Sequence, residues 1–570
     1  MTSGEGSPPP RRALGLSSTA VFAVSILIQF LGFIPSYFFS HGVGAGVSGA
    51  GRALLGTFQL FLLLASSINM IADLRIGSAF TFFVARGDPP RSSTATYFLL
   101  RASMVALGGV LIFALGPALG YTPAQYLGLF ALWMTLPLLW TVSTVYSQLF
   151  VAQGDSIRGQ LPLLIESIVR TSALTFVAVT IHSYPAPNLI PEVTYAYLLG
   201  AGVAALFSAP AVTRSFTRFS RPVARRLFTF AWPLMGSLLL LYVASTLIQF
   251  IVVVDYHLNI YNVSLAANGY RILALAIPAA VAVPLFPHLS GLHQKRDYEL
   301  VRVRTWAALR YTAMVVIPVV MGLAVYRTNI LNIMNGAPYA SQGATALALL
   351  ALSALPAALS QIIGTALNSV GQQRLELYLT SAQVATLVVG ALVFMRPIDL
   401  FGLAGLDASG LAVLISSIAA LGLNTYFMER LLAVRIQIRP ILTLLGSAAA
   451  AFVAVAQFND LLPVNRYYQL AAGVLLGFVV YFVVLALLGE LSKADVRLLV
   501  ASVGIPAAVG DLLARACWRA DSWPVNPRSA SEGTGLRPID ERAYGFTPPL
   551  PPPPSEAGSP GRSQSPRTPR

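Results

Sequence analysis

The chemistry open to this 570-residue chain lies in a few charged side chains embedded in apolar sequence. Eight stand beyond the first residue of an apolar run: Arg52, Asp73, Arg75, Arg101, Glu166, Arg170, Arg271 and Arg310. A charge in the hydrocarbon core of a bilayer costs about 2.5–3.5 kcal/mol on insertion scales, so each must face a cavity, find a partner or snorkel to the interface. Six guanidiniums facing two carboxylates make an electropositive interior if they share a cavity. Guanidinium forks grip phosphate oxygens bidentately, so an anionic ligand is the chemistry this set suits.

The eight are not equivalent. Arg271 lies about 12 Å inside its span at 1.5 Å per residue, too deep for easy snorkelling. Arg310 is close enough to a span end to snorkel, and Arg52 and Arg101 are the two best placed either to snorkel or to form an internal salt bridge. Glu166 and Arg170 are four apart in the acid-first order, which is the spacing of a local helical ion pair; a proton or cation relay is the alternative use. Asp73 and Arg75, two apart, point to different faces, so each needs a partner elsewhere. Five histidines without metal-ligand spacing indicate no metal site, and the single Cys517 leaves nothing for an intrachain disulfide or iron–sulfur centre. With no glycine-rich phosphate loop, and outward loops too short for the acidic motif of a membrane glycosyltransferase, neither an enzyme nor a cofactor is expected.

The elements that carry these residues are membrane spans. Hydrophobic residues make up 56% of the chain and charged ones only 10%, far below the roughly 25% charge of a soluble domain. Apolar runs of about 20 residues give fourteen predicted spans: 14–39, 50–84, 94–117, 124–150, 160–181, 193–212, 227–253, 263–289, 305–326, 342–365, 376–395, 408–428, 440–458 and 467–489. The first lacks a small-residue cleavage site followed by soluble sequence, so it is read as a retained helix. The second is long for a straight crossing, so Gly77 is expected to mark either a bend or a cytoplasmic extension of the helix. Loops after even-numbered spans carry sixteen Lys or Arg against three in loops after odd-numbered ones, which predicts both termini in the cytoplasm. The net charge of +15 thus serves topology and contact with lipid headgroups, not nucleic acid.

Three echoes recur in order at an offset of about 210–220 residues. LFVAQGDSIRGQL around Gly154 is echoed by ALNSVGQQRLELYL around Gly371, and LLRASMVALGGV around Arg101 by ALRYTAMVVIPVV around Arg310. VSGAGRALLG is echoed by VSLAANGYRILALA, which sets Arg52 opposite Arg271. The fold expected is an all-α polytopic membrane protein with about fourteen helices, in two parallel-repeat six-helix lobes plus two C-terminal helices. Its parts are a cytoplasmic segment 1–13, an N-lobe 14–212, a basic linker 213–226, a C-lobe 227–428, spans 13 and 14 within 429–489, a juxtamembrane segment 490–519 and a proline-rich, disordered tail 520–570. Prolines at 137, 233, 278, 284, 318 and 356 interrupt spans and allow kinks.

Three stretches carry a family resemblance: ADLRIGSAFTFFVARG, VPLFPHLSGLHQKRDYELVRVRTWAALRYTAMVVIPVVMGLA, and ALNSVGQQR. Over about residues 14–500 the chain resembles polysaccharide or oligosaccharide flippases, including the lipid II flippase branch, of the multidrug/oligosaccharidyl-lipid/polysaccharide exporter superfamily. The resemblance implies two six-helix lobes around a central cavity and a lipid-linked glycan as substrate, with membrane lipids and glycan-assembly enzymes as partners, in the cytoplasmic membrane. On it, Arg271 and Arg52 are the first candidate phosphate ligands, Arg75 and Arg170 the next, and Asp73 and Glu166 serve coupling or salt bridges. A cation-coupled multidrug antiporter of the same fold, or a membrane glycosyltransferase or ligase, is the alternative.

Overall fold

A computed structural model describes residues 21–35 and 68–75 in part, then 76–115, 123–180, 189–335, 337–394, 406–435, 438–461 and 466–490; of 123–134 and 245–266 it describes the backbone alone. Arg52, the greater part of predicted spans 1 and 2, the segment 1–13 and everything after Glu490 lie outside the described residues. Among the described residues all regular structure is α-helical: α1 Ile76–Ala85, α2 Pro90–Leu115, α3 Pro123–Ala152, α4 Ser156–Thr180, α5 Leu189–Arg214, α6 Arg221–Gln294, α7 Tyr298–Val325, α8 Arg327–Asn335, α9 Ala337–Ser369, α10 Gln373–Phe394, α11 Leu406–Leu432, α12 Ile438–Leu461 and α13 Arg466–Leu487. Eleven helical segments among these residues are long and apolar enough to cross a membrane, and they fall on predicted spans 3 and 5 to 14 in order. Predicted span 4 is α3. The short α8, which buries Leu331 and Ile333, has no counterpart among the predicted spans.

Predicted spans 7 and 8 are joined without a loop, because α6 keeps helical backbone across the connection expected near 254–262. No proline or glycine occurs between Gly236 and Gly269, so nothing in the sequence stops helical hydrogen bonding there. The helix nevertheless doubles back. The Phe82 ring lies 4.4 Å from that of Phe230 and 6.3 Å from that of Phe286, centroid to centroid. In a straight helix those two residues would be about 84 Å apart at 1.5 Å per residue. The segments Arg221–Ala244 and Ala267–Gln294 therefore form a hairpin.

Two regions of core organise the rest. In the first half, Ile76 and Phe80 of α1, Tyr97 of α2, Tyr146 and Leu149 of α3 and Val212 of α5 cluster with Leu227 and Ala231 at the start of α6. In the second half α9 is central and packs against α6, α7 and α11. Ala351, Ala354, Ala358 and Ala366 of α9 are fully buried. Small residues let helix backbones approach closely, which matters because apolar contact with lipid gives no hydrophobic drive to association. The last two helices, α12 and α13, pack against α7, where Tyr481 Oη donates to the Met314 carbonyl at 3.0 Å.

Connections rich in arginine gather at one end. Arg226 pairs with Asp88 at 3.1 Å, Gln294 Nε2 donates to the Arg86 carbonyl at 3.1 Å, and Thr217 Oγ1 donates to the Arg91 carbonyl at 3.2 Å. Arg302 Nε donates to the Leu432 carbonyl at 3.0 Å. Helix ends there share one geometry. The Gly154 N–H bonds to Val151 and the Asp155 N–H to Phe150; the Gly371 N–H bonds to Asn368 and the Gln372 N–H to Leu367. Both glycines are left-handed, at φ 87° and 98°, and close Schellman caps. The echo between 154 and 371 is thus a repeated cap.

The bend expected at Gly77 falls at Arg75 instead, which takes the left-handed conformation (φ 61°, ψ 13°) just before α1. Gly77 serves close packing, since a Cβ there would lie 2.8 Å from Tyr97 Oη.

Because no heavy atom would crowd a Cβ at Gly154 or Gly371, the cost of a side chain there is conformational. Gly154→Ala and Gly371→Ala should each destabilise the protein by about 1 kcal/mol, and Gly→Asn by less, since asparagine tolerates the left-handed region. Thermal unfolding in detergent measures this.

Candidate functional site

Each charged residue inside a span meets a different fate. Arg101 of α2 is 1% exposed and bonds Asp73 Oδ1 through Nη1 at 2.5 Å and Asn69 Oδ1 through Nη2 at 2.5 Å. Tyr97 Oη donates to the same Asp73 oxygen at 2.9 Å, and its ring stacks on Phe80 at 5.0 Å. Tyr97 and Arg101 are one helical turn apart, so both reach across to the residues just before the Arg75 break. Arg101 does not snorkel; it is an internal ion pair, and Asp73 finds there the distant partner its spacing demanded.

The second acid is also occupied. Glu166, 4% exposed, accepts from Arg170 Nη1 and from Trp140 Nε1 of α3, each at 3.0 Å. The Arg170 Cζ sits 5.2 Å from the centre of the Tyr197 ring of α5. Gly200 of α5 allows this approach, because a Cβ there would lie 2.9 Å from Arg170 Cβ and 3.0 Å from the Glu166 carbonyl. Arg310, echoed in sequence by Arg101, does something unrelated: its Nη2 bonds the backbone carbonyl of Glu490 at 2.5 Å and fixes the end of α13.

Two described cations remain. Arg75 is exposed at the break before α1. Arg271 is half-buried on α6, and its Nε is buried with no hydrogen-bond partner. Among the described residues no carboxylate pairs with Arg271. It lies about 34 Å along α6 from Gln294 at 1.5 Å per residue, toward the end away from the arginine-rich connections. Neighbouring Tyr270 is tied down separately, donating to Asn335 Oδ1 at 2.6 Å. The described arginines therefore differ in what they meet. Arg101, Arg170 and Arg310 have protein partners, and among the described members of the set Arg271 alone combines partial burial with an unused fork.

Other features carried little signal in the sequence. Arg86 counts there only as a loop charge, yet its Cζ stands 3.9 Å over the Phe82 ring and its Nη2 reaches the Ser369 carbonyl at 3.5 Å. Burial draws its guanidinium down to about 10, still charged at neutral pH. Glu376, the first residue of a predicted span, accepts from Asn368 Nδ2. A cavity of about 220 Å3 opens between α7, α12 and α13, bounded by Pro318, Tyr326, Gly473 and Tyr481, and no arginine lines it. Among the described residues no group of three His, Cys, Asp or Glu could hold a metal ion.

Residues 64–342 match the family model of polysaccharide biosynthesis proteins. A probable low-salt glycan biosynthesis flippase of Haloferax volcanii is 22% identical over 471 residues, spanning 82% of this chain and 94% of the relative. Among solved structures, a multidrug resistance MATE family transporter of the MOP superfamily in an outward-facing conformation superimposes with a TM-score of 0.59 at 16% identity, over 76% of this chain and 99% of that one. The lipid II flippase MurJ in an inward closed conformation superimposes at 0.58 with 14% identity, over 82% of this chain and 98% of that one. The described helices share the fold of these two transporters. In this multi-pass membrane protein the first-half acids Asp73 and Glu166 are each paired with an arginine of the same half.

Breaking a buried pair strands the surviving charge, which typically costs about 3–5 kcal/mol. Asp73→Asn should therefore destabilise the folded protein by about 3 kcal/mol, while Asp73→Leu combined with Arg101→Leu costs less than either single change. Thermal unfolding with a double-mutant cycle reads both. Gly200→Ala should lower the unfolding temperature as well, because backbone as well as side-chain atoms occupy the space its methyl would enter.

Proposed function

We propose that the chain is a flippase that moves an oligosaccharide or polysaccharide unit, linked to a polyprenyl phosphate or diphosphate, across the cytoplasmic membrane by alternating access. The observation that carries this reading is Arg271: a half-buried guanidinium inside a membrane span with no partner among the described residues. A guanidinium placed so is worth its desolvation only if something anionic visits it, and a phosphate offers two oxygens to one fork. The names of the Haloferax volcanii relative and of MurJ, both flippases, support the same class of cargo.

On this reading the lobes 14–212 and 227–428 rock about the linker 213–226, and the gathered arginine-rich connections face the cytoplasm. Their sixteen positive charges meet anionic headgroups there. Arg271, toward the turn of the α6 hairpin, receives the phosphate on its way outward; Arg52 is its proposed counterpart by sequence echo, and Arg75 and Arg170 are secondary contacts. Rocking responds to the ligand only to the extent that the two states bind it differently. A cation-coupled drug antiporter is disfavoured, because it would use free carboxylates and both Asp73 and Glu166 are held by arginines.

A charge-assisted hydrogen bond contributes about 1.5–3 kcal/mol, so Arg271→Ala should slow flipping by roughly tenfold or more, with Arg271→Lys intermediate. The test is translocation of a fluorescent polyprenyl-diphosphate oligosaccharide in reconstituted vesicles. A folded Arg271→Ala protein with unchanged rate would refute the assignment.

A further inference from the structure

At the arginine-rich end, side chains of the first half meet both arms of the α6 hairpin and the end of α9. Phe82 of α1 lies against Phe230 and Phe286, one from each arm of the α6 hairpin. Arg86, at the C-cap of α1, lays its guanidinium over Phe82 and extends Nη2 to the Ser369 carbonyl at the end of α9. Its own carbonyl accepts from Gln294. Arg86 thus touches the ends of two second-half helices from a first-half loop.

The guanidinium is poorly satisfied in that position. Its bond to Ser369 is 3.5 Å long, at the limit of hydrogen-bonding distance, and its acceptor is a neutral carbonyl. The Nε is buried and unpaired. The carboxylate of Asp88, two residues on, is engaged by Arg226 at 3.1 Å, and Arg226 itself stands 4.6 Å over Phe83. An arginine has five donors in a planar fork, and hydrogen bonds to ionised acceptors are about twice as strong as those to neutral ones. A phosphate reaching Arg86 from the water or the headgroup layer offers charge and two oxygens where Ser369 offers one uncharged oxygen.

We infer that Arg86 is a second anion-binding residue and a latch: a phosphate group displaces the Ser369 carbonyl from its guanidinium, and that exchange releases the two halves at this end. The inference rests on the flippase reading for why a phosphorylated headgroup arrives, but the exchange itself needs only the phosphate. Differential affinity is built in, because the anion and the carbonyl compete for the same donors and binding is tighter where the carbonyl has left. With Arg271 toward the turn of the α6 hairpin, the passage would carry one under-used guanidinium toward each side.

Arg91 and Arg374 are exposed on the first and second halves at this end, and Cys517 is the single cysteine. Spin labels at Arg91→Cys and Arg374→Cys in a Cys517→Ser background, in nanodiscs, report the separation by double electron–electron resonance. Without ligand, Arg86→Ala should move the distribution outward by about 5 Å or more, the scale of a one-turn displacement, and Arg86→Lys should move it part of the way. Farnesyl diphosphate should shift the wild-type latch outward and leave Arg86→Ala unmoved, while farnesol moves neither. Inorganic pyrophosphate separates the sources: an equal shift assigns a free phosphate, no shift assigns a lipid headgroup. An unliganded Arg86→Ala protein with the wild-type distribution would overturn the latch. An Arg86→Ala protein that still opens further with farnesyl diphosphate, or a wild type that ignores both diphosphates, would overturn the anion exchange. The unliganded arm reads the latch alone, so it stands or falls separately from the identity of the transported molecule.

Discussion

A guanidinium cannot lose its proton at any ordinary pH and cannot be left bare in a low-dielectric interior, and the placement of arginines in this chain follows from that constraint. Where the fold itself needs an arginine inside, it supplies an acceptor: the Asp73 carboxylate and Asn69 amide for Arg101, Glu166 for Arg170, the Glu490 carbonyl for Arg310. All three make contacts that tie helices together. They hold α2 to the residues before α1, α4 to its own turn beside α3 and α5, and α7 to the end of α13. Arg271 stands apart because the same constraint applies and no described group answers it.

The helices supply the frame in which that difference has meaning. Left-handed caps at Gly154 and Gly371 end helices abruptly, so connections stay short and the arginine-rich ones collect at one end. Close-packed alanines make α9 the spine of the second half. The hairpin of α6 carries its first arm into the core of the first half, through Leu227 and Ala231, and its second arm into the core of the second. One helix therefore belongs to both halves, with Arg271 on its second arm toward the turn of the hairpin and the contacts around Arg86 beside its two ends.

Much of this was legible in the sequence where the cause is local. Hydropathy marks the spans because a bilayer demands about 20 apolar residues per crossing, and the alternation of basic loops fixes their parity. The Glu166–Arg170 pair is readable from four-residue spacing. The Gly154 and Gly371 echo is readable because only glycine adopts φ near 90° without strain, although its meaning as a cap is not. What depends on long-range contact was hidden. Nothing near Arg101 in sequence points to Asn69, 32 residues away, or near Arg310 to Glu490, 180 residues away. The echo between Arg101 and Arg310 matches neighbours in sequence, not partners in space. The left-handed Arg75 has no local signature, since arginine is a poor choice for that conformation, and Gly77 two residues on is the more obvious suspect. Arg86 reads as a topology signal because loop arginines are common, and its role is set by Phe82 and Ser369.

The central claim is that Arg271 is kept without a protein partner so that a phosphate can take its place. It is tested most directly by equilibrium binding of a short polyprenyl diphosphate, and of the matching uncharged polyprenol, to wild-type and Arg271→Ala protein in nanodiscs. The account predicts that the substitution weakens diphosphate binding by roughly tenfold or more and leaves the polyprenol untouched. Equal diphosphate affinity in the two proteins would contradict it.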